Sequence, residues 1–221
     1  EVKASIIDAH AALPAVGAIN AGTLLMIIGT SSCHIGIGNT QKNVPGIAGC
    51  VKDGIVDGLY AYEAGQASVG DSFEWFIKNC LPASYTEDAT KKGVNIHEYL
   101  REKAKTLKPS ANGLIALDWF NGNRTPYVNG NLSGLILGLT VNTTPEQIYK
   151  ALIEATAFGT KMIVDLYTSS GVEINIRGRF PLLHIVAAAN AVEFLQKSQA
   201  AEIGRCPAHG GRRGNGGLDP P

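Results

Sequence analysis

A run of five apolar residues followed at once by a glycine turn sets the first limit on how this chain can fold. Leu24–Ile28 is apolar throughout, a pattern typical of a strand buried on both faces. Residues 29–32, Gly-Thr-Ser-Ser, form turns readily, and Cys33, Ile35 and Ile37 then alternate as the residues of a second strand do. The sequence therefore predicts a β-hairpin with a polar tip.

A strand, a polar elbow and a helix are predicted next. Residues 59–62, Leu-Tyr-Ala-Tyr, favour a strand, and residues 63–66, Glu-Ala-Gly-Gln, form the elbow. Phe73, Phe76 and Ile77 then give a helix its apolar stripe. Hairpins interleaved with helices indicate a mixed α/β domain.

The clearest helix start lies at Thr144, with Pro145 in the first turn and Gln147 placed to complete a capping box. Gly171 stands where a left-handed residue would end the helix, and the alternation of Val172, Ile174 and Ile176 predicts a strand after it. Apolar residues recur through the helix at spacings of three or four: Ile148, Leu152, Ala155, Phe158, Met162 and Leu166.

Composition excludes several classes of protein. Of 221 residues, 45% are apolar and 17% are charged, which excludes a chain disordered for most of its length. Lys plus Arg and Asp plus Glu both number 19, so a net charge of 0 provides no general attraction to nucleic acid or to anionic membranes. The uncharged, apolar stretch of residues 13–29 is too short and too broken by Pro14 and glycines to span a bilayer.

The four cysteines, at positions 33, 50, 80 and 206, contain no Cys-x-x-Cys pair. Neither a zinc ribbon nor a disulfide scaffold is therefore predicted, and a reducing cytoplasm suits these thiols. The chain begins without methionine inside what resembles an ongoing segment, so we expect a fragment of a longer protein.

Changes in composition along the chain predict where its segments begin and end. Residues 1–176 form the predicted domain, within which residues 81–112 are charged and loop-like. Residues 177–204 form a divergent apolar segment, and the stretch 180–195 is apolar enough for a helix. Residues 205–221 are predicted to be a disordered Gly/Arg/Pro-rich tail, without aromatic residues that could stack on RNA bases.

Asp8 is the first candidate for chemistry, because it ends a short apolar run that would bring it to a sheet edge as a strand. A carboxylate within about 3 Å of a hydroxyl can take its proton as the oxygen attacks phosphorus. The alternative is that Asp8 only caps the following turn. His10, two residues later, is expected to be structural rather than a metal ligand.

Three further segments are candidates for binding. The turn at Gly29, Thr30 and Ser31 can surround a phosphate with N–H groups and hydroxyls, or can simply be a good hairpin turn. Glu63 can bind the hydroxyls of a polyol, or can be a solvent-exposed loop acid. Residues 118–126 place Trp and Phe among turn-formers, so this loop is expected either to line a cleft or to bury its rings.

Several ordered motifs together resemble the carboxy-terminal half of the FGGY carbohydrate kinases, most closely those that phosphorylate L-ribulose. The resemblance covers about residues 1–175, and the sequence departs from it after Asn175, where an adenine loop would follow. The motifs are Asp-Ala-His at 8–10, Met-Ile-Ile-Gly-Thr-Ser-Ser-Cys-His at 26–34, Val-Pro-Gly at 44–46, Tyr-Glu-Ala-Gly-Gln at 62–66, Ala-Leu-Asp-Trp-Phe-Asn-Gly-Asn-Arg at 116–124, Gly-Leu-Thr at 138–140 and residues 151–158.

This resemblance implies the second domain of a two-domain kinase with an actin-like, ribonuclease H-like ATPase fold. It implies that Asp8 binds the sugar and is its catalytic base, and that Glu63 also binds the sugar. It places Gly29, Thr30, Ser31 and Gly70 at the nucleotide, and it assigns no metal ligand to this chain. The implied cofactors are ATP and Mg²⁺, and the implied assembly is a homodimer of the whole protein.

The implied reaction is the ATP-dependent phosphorylation of L-ribulose to L-ribulose 5-phosphate, a step of L-arabinose catabolism. Because the first domain and the adenine loop are expected to be missing, the isolated chain is predicted to be inactive. Two alternatives stay open from the sequence. One is a kinase for another pentulose such as xylulose, and the other is a non-catalytic remnant that still binds phosphate.

Overall fold

The structure, a computed structural model, describes residues 6–108, 113–175 and 183–187. Strands and helices alternate along the chain, as the prediction of a mixed α/β domain requires. In chain order the elements are α1 (Asp8–Ala15), β1 (Leu24–Ile28), β2 (Ser32–Gly38), β3 (Gly49–Lys52), β4 (Tyr60–Gln66), α2 (Gly70–Cys80), α3 (Ala83–Lys91), α4 (Ile96–Lys105), β5 (Ile115–Leu117), β6 (Leu135–Leu137), α5 (Pro145–Ser169) and β7 (Leu183–Ala187).

Within the described residues, the larger sheet has the strand order β3-β4-β2-β1-β7, and β5 pairs with β6 separately. β1 and β2 pair antiparallel from Leu24 opposite Gly36 to Ile28 opposite Ser32, which confirms the predicted hairpin. β2 pairs antiparallel with β4, and β1 pairs parallel with β7. The apolar strand β1 therefore has a neighbour on each side.

Different helices cover the two faces of this sheet. Ile35 of β2 packs with Leu13 of α1, whereas Tyr62 of β4 packs against Tyr167 of α5. Because side chains alternate across a strand, Glu63 lies on the α1 face and its neighbours in β4 lie on the α5 face. This alternation places the charged cluster around Glu63 and the buried polar network around Gln66 on opposite faces of the sheet.

The long helix predicted from its start signal is α5. The Gln147 side chain accepts a hydrogen bond from the Thr144 N–H at 2.9 Å, and Gly171 follows the helix with φ of +80°. One side of α5 packs on β4, and another side packs on α2, α4 and β5. The helix is thus the centre of the domain rather than a surface element.

The prediction of a strand from the alternation of Val172, Ile174 and Ile176 is wrong for the residues that the structure describes. Residues 172–175 form no strand, because the Val172 N–H donates to the Tyr167 carbonyl at 3.0 Å and folds the chain back on the end of α5. The alternating apolar residues Val172 and Ile174 pack in the same cluster as Tyr167. Ile176 lies outside the described residues.

The expectation that residues 81–112 are loop-like is also wrong, because α3 and α4 occupy most of this segment. The Asn95 side chain caps α4 by accepting a hydrogen bond from the His97 N–H at 2.8 Å. Leu100 and Ala104 are fully buried in the core, while the charged residues cover the outer face. Residues 109–112 lie outside the described part.

The two ends of the described chain differ from expectation as well. Ile6 and Ile7 are 58% and 62% exposed and form no strand, so Asp8 is delivered by the start of α1, not by a strand at a sheet edge. Leu183–Ala187, within a stretch judged suitable for a helix, forms β7, because its backbone pairs with β1 over five residues. The rest of the predicted segments 177–204 and 205–221 lies outside the described residues.

None of the helices in the described ranges has the length and apolar character needed to cross a membrane.

Candidate active site

Glu63 of β4 is the centre of a charged cluster on the α1 face of the sheet. Its Oε1 accepts a hydrogen bond from Arg124 Nη2 at 2.6 Å, and its Oε2 lies 3.1 Å from His10 Nε2. The side chains of His10, Glu63 and Arg124 are 25%, 29% and 37% exposed. The carboxylate is therefore held by protein groups on both oxygens and is still reachable from solvent.

The surroundings of Glu63 keep it ionised. Burial by itself would raise the pKa of Glu63, but the His10 hydrogen bond, the Arg124 charge and a hydrogen bond from Cys33 together lower it. Burial, followed by the charge of Glu63, raises the pKa of the Cys33 thiol to about 12. The cluster thus contains a carboxylate anion beside a protonated, unreactive thiol.

Asp8 approaches the same cluster from α1. It is the first residue of the helix, is exposed, and its Oδ1 accepts a hydrogen bond from the Ala9 N–H at 2.8 Å. Its charge contributes to the raised pKa of Cys33, as does the charge of Glu63. The two predicted sugar-site carboxylates thus lie near enough to Cys33 for both of their charges to raise its pKa.

The predicted phosphate turn packs against the start of α2. The Gly70 N–H donates to the Gly29 carbonyl at 3.0 Å, and the Val69 N–H donates to the Thr30 carbonyl at 2.9 Å. A Cβ at position 70 would lie 2.5 Å from the Gly29 oxygen, so only glycine allows this approach. The four predicted nucleotide residues, Gly29, Thr30, Ser31 and Gly70, thus form one cluster with Thr30 exposed at its tip.

A buried polar network lies behind the turn, on the α5 face of the sheet. The Gln66 Oε1 accepts hydrogen bonds from Ser32 Oγ and Thr160 Oγ1, both at 3.0 Å. The Gln66 Nε2 donates to Asp118 Oδ2 at 2.6 Å and to the Thr156 carbonyl at 3.0 Å. All hydrogen-bonding positions of this buried amide are satisfied, so the network rigidly joins β2, β4 and α5.

His34 and Asp118 are the titratable members of this region. Burial, with a smaller effect of the Arg124 charge, lowers the pKa of His34 to about 3. Burial raises the pKa of Asp118, and the hydrogen bond from Gln66 opposes that rise only in part. Sequence reasoning assigned no role to His34 or Gln66, although polar residues on the inward positions of two strands were a signal for such a network.

The loop of residues 118–126 contacts α2, which packs against the phosphate turn, and also the charged cluster around Glu63. The centroid of the Phe120 ring lies 5.0 Å from that of the Trp75 ring in α2. Asn121 Nδ2 donates a hydrogen bond to Oδ2 of Asp71, the residue after Gly70, at 3.2 Å. Three residues later, Arg124 reaches Glu63. The loop thus anchors its rings and also borders the site, and Arg124 is the site residue that sequence reasoning missed.

The described residues do not build a metal centre. Within the ranges that the structure covers, no group of three or more His, Cys, Asp or Glu side chains could hold an ion.

Comparison with solved structures shows which fold this domain has. A xylulose kinase from Rhodospirillum rubrum has a TM-score of 0.65 at 23% identity, covering 88% of this chain and 40% of its own. A ligand-bound xylulose kinase from Lactobacillus acidophilus has a TM-score of 0.66 at 19% identity, covering 87% of this chain and 36% of its own. These likenesses confirm the predicted fold class, an α/β domain with the actin-like ATPase fold.

The family follows from the sequence match. The FGGY family of carbohydrate kinases, C-terminal domain, matches residues 24–176, and the chain belongs to this family. The ribulokinase of Halalkalibacterium halodurans is 52% identical over 169 residues, which are 76% of this chain and 30% of that protein. The chain thus spans about 30% of the length of the curated relatives it matches.

Proposed function

We propose that this chain supplies the carboxy-terminal domain of a kinase that transfers the γ-phosphate of ATP to L-ribulose. The observation that carries the proposal is the Glu63 carboxylate, held ionised on the face where α1 presents Asp8, in a chain 52% identical to a ribulokinase. Two carboxylates on one face of the sheet suit a polyol, because one can bind its hydroxyls while the other accepts a proton.

In the proposed reaction, Asp8 takes the proton of the sugar hydroxyl as that oxygen attacks the γ-phosphorus of ATP. The new bond joins the sugar oxygen to phosphorus, and the bond between the γ-phosphorus and the β,γ-bridging oxygen breaks to release ADP. Glu63, kept anionic by His10 and Arg124, accepts hydrogen bonds from other sugar hydroxyls. The two acids thus have separate tasks.

The turn at Gly29, Thr30 and Ser31 is proposed to contact the ATP phosphates, with Gly70 allowing the turn to lie against α2. Phosphoryl transfer depends mainly on positioning and on stabilisation of charge. The rigid backing of this turn by the buried Gln66 network supports such a role, because it limits movement of the groups that position the phosphates. Mg²⁺ is expected to enter with ATP, since it is commonly held by phosphates together with few protein ligands.

A chimera tests the proposed function directly. Residues of this chain that align with the Halalkalibacterium ribulokinase replace the corresponding part of that enzyme, and ATP-dependent phosphorylation is assayed with L-ribulose and with xylulose. We expect turnover of about 1 to 100 per second with L-ribulose, and none from the 221-residue chain alone. A preference for xylulose, or an inactive chimera, would contradict the proposal.

Two accompanying proposals concern the cellular location and the oligomeric state of the enzyme. A cytoplasmic location is supported by Cys33, Cys50 and Cys80, which are free thiols in the described part of the chain. The homodimer implied by the family resemblance stays a prediction, and sedimentation of the chimera would test it.

A further inference from the structure

Arg124 reaches Glu63 because the loop that carries it is fixed to the same strand. The Gly65 N–H of β4 donates to Thr125 Oγ1 at 3.2 Å, and Gly65 lies on the same face of the strand as Glu63. A Cβ at position 65 would meet the Ser32 carbonyl oxygen and would lie 3.1 Å from Arg124 Nη1. The absence of a side chain at Gly65 therefore allows the close approach of β2 and also leaves room beside the guanidinium.

The loop is braced on its other side as well. The backbones of Asn123 and Asn129 exchange two hydrogen bonds, at 2.9 and 2.8 Å, and Asn123 Oδ1 accepts from the Tyr127 N–H at 2.9 Å. Arg124 is thus held between two fixed neighbours, Asn123 and Thr125. A guanidinium on such a support is a positioned group and not a freely moving surface charge.

The partners of Glu63 restrict its carboxylate without using up its acceptor capacity. Each oxygen of an ionised carboxylate has about two acceptor sites, and Arg124 and His10 each occupy one oxygen. When the hydrogen bond from Cys33 is also counted, about one of the four acceptor sites remains for a ligand, and protein partners on both oxygens restrict the plane of the carboxylate. Without them, this partly exposed side chain would sample several rotamers.

We propose that Arg124 and His10 are positioning residues that hold the Glu63 carboxylate in the orientation required to hydrogen-bond the sugar. This inference deepens the proposed function and rests on it. It assigns a specificity role to Arg124 and to His10 on α1, with Gly65 leaving room beside the guanidinium.

The first test uses the 221-residue chain without substrate. Titration of the Glu63 side-chain carboxyl by NMR in the parent, Arg124→Ala and His10→Ala reports on the contacts themselves. The groups that act on Glu63 are His10 from α1, Cys33 from β2 and Arg124 from the loop. We expect the pKa of Glu63 to rise in both variants, because each loses a group that favours the carboxylate.

The second test measures sugar recognition in the chimera described above. Arg124→Ala should raise the KM for L-ribulose about tenfold to a hundredfold, as expected for the loss of a charge-assisted hydrogen bond, with the KM for ATP within about twofold of the parent. Arg124→Lys should restore part of the loss. The matched control is Arg101→Ala, which removes an arginine paired with Glu98 and Glu102 on α4.

The outcomes separate this inference from the proposed function. An unchanged pKa of Glu63 in Arg124→Ala, or an unchanged KM for L-ribulose, would overturn the positioning role while the kinase assignment stands. Equal increases in the KM for sugar and for ATP would also overturn it, because they indicate general damage. If the parent chimera is inactive, the proposed function fails, and the Glu63 titration alone decides whether the two residues hold the carboxylate.

Discussion

Gly159 of α5 lies directly against the side-chain amide of Gln66 in β4. A Cβ built at position 159 would be 2.5 Å from Gln66 Nε2 and 2.6 Å from Asp118 Oδ2. The missing side chain therefore makes room for the hydrogen bond between Gln66 and Asp118, which connects β4 to the loop that borders the site. At this point the sheet and the helix meet through polar groups, not through apolar packing.

Gly159→Ala is expected to destabilise the domain. Alanine usually favours a helix over glycine by about 1 kcal/mol, but here the methyl group would displace a satisfied buried network. We expect a net loss of about 1 to 3 kcal/mol in the free energy of unfolding, measured with urea on the 221-residue chain. Gly49→Ala is the control, because nothing lies within 4 Å of a Cβ there. Equal stability of both variants would contradict the clash.

The buried His34 should make stability fall in acid. Burial lowers the pKa of His34 from 6.5 to about 3, so between these pH values the unfolded chain binds a proton that the folded chain does not. The stabilisation is complete above about pH 6.5 and is lost as the pH falls toward 3. In His34→Gln, the dependence on pH should be shallower by up to about 1.4 kcal/mol per pH unit.

Urea unfolding of parent and variant at a series of pH values measures that difference. His97→Gln is the comparison, because burial also lowers the pKa of His97 but its side chain is only partly buried. A difference between parent and His34→Gln that stays constant over the acid range would show that His34 can be protonated in the folded domain.

Asp8→Asn should remove the proposed general base. In the active chimera we expect kcat to fall about 10²- to 10⁴-fold, with a smaller change in the KM for sugar, because an amide can still hydrogen-bond a hydroxyl but cannot take its proton. Asp165→Asn is the control, since Asp165 is an exposed partner of Lys161 on α5. Turnover near that of the parent would exclude Asp8 as the base.

Gly70→Ala should weaken nucleotide binding. The added Cβ would lie 2.5 Å from the Gly29 carbonyl oxygen, so the turn at Gly29 to Ser31 must move away from α2. We expect the KM for ATP to rise about tenfold to a hundredfold, because small displacements of positioning groups are costly in phosphoryl transfer. The KM for L-ribulose should change little. An unaltered KM for ATP would show that the turn does not position the nucleotide.

Local pattern was sufficient to predict the elements whose own residues decide their structure. The hairpin of β1 and β2 follows from an apolar run, a glycine turn and alternation, and α5 follows from its start signal and its glycine end. The helices α3 and α4 were missed because charged residues dominate their sequence. Their few apolar residues, such as Leu100, become informative only when the core that receives them is known.

The sequence by itself determined the mixed α/β class, the hairpin, the long helix and the residue types available for chemistry. Only the tertiary structure decided which of these residues come into contact. Arg124 and Glu63 are 61 residues apart, and no local propensity encodes a contact of that separation. Their meeting depends on the packing of a loop against β4, and α1, which carries Asp8 and His10, docks on the same face of the sheet. Contacts of this kind arise from the burial of whole elements, and burial is a property of the folded chain rather than of any short segment.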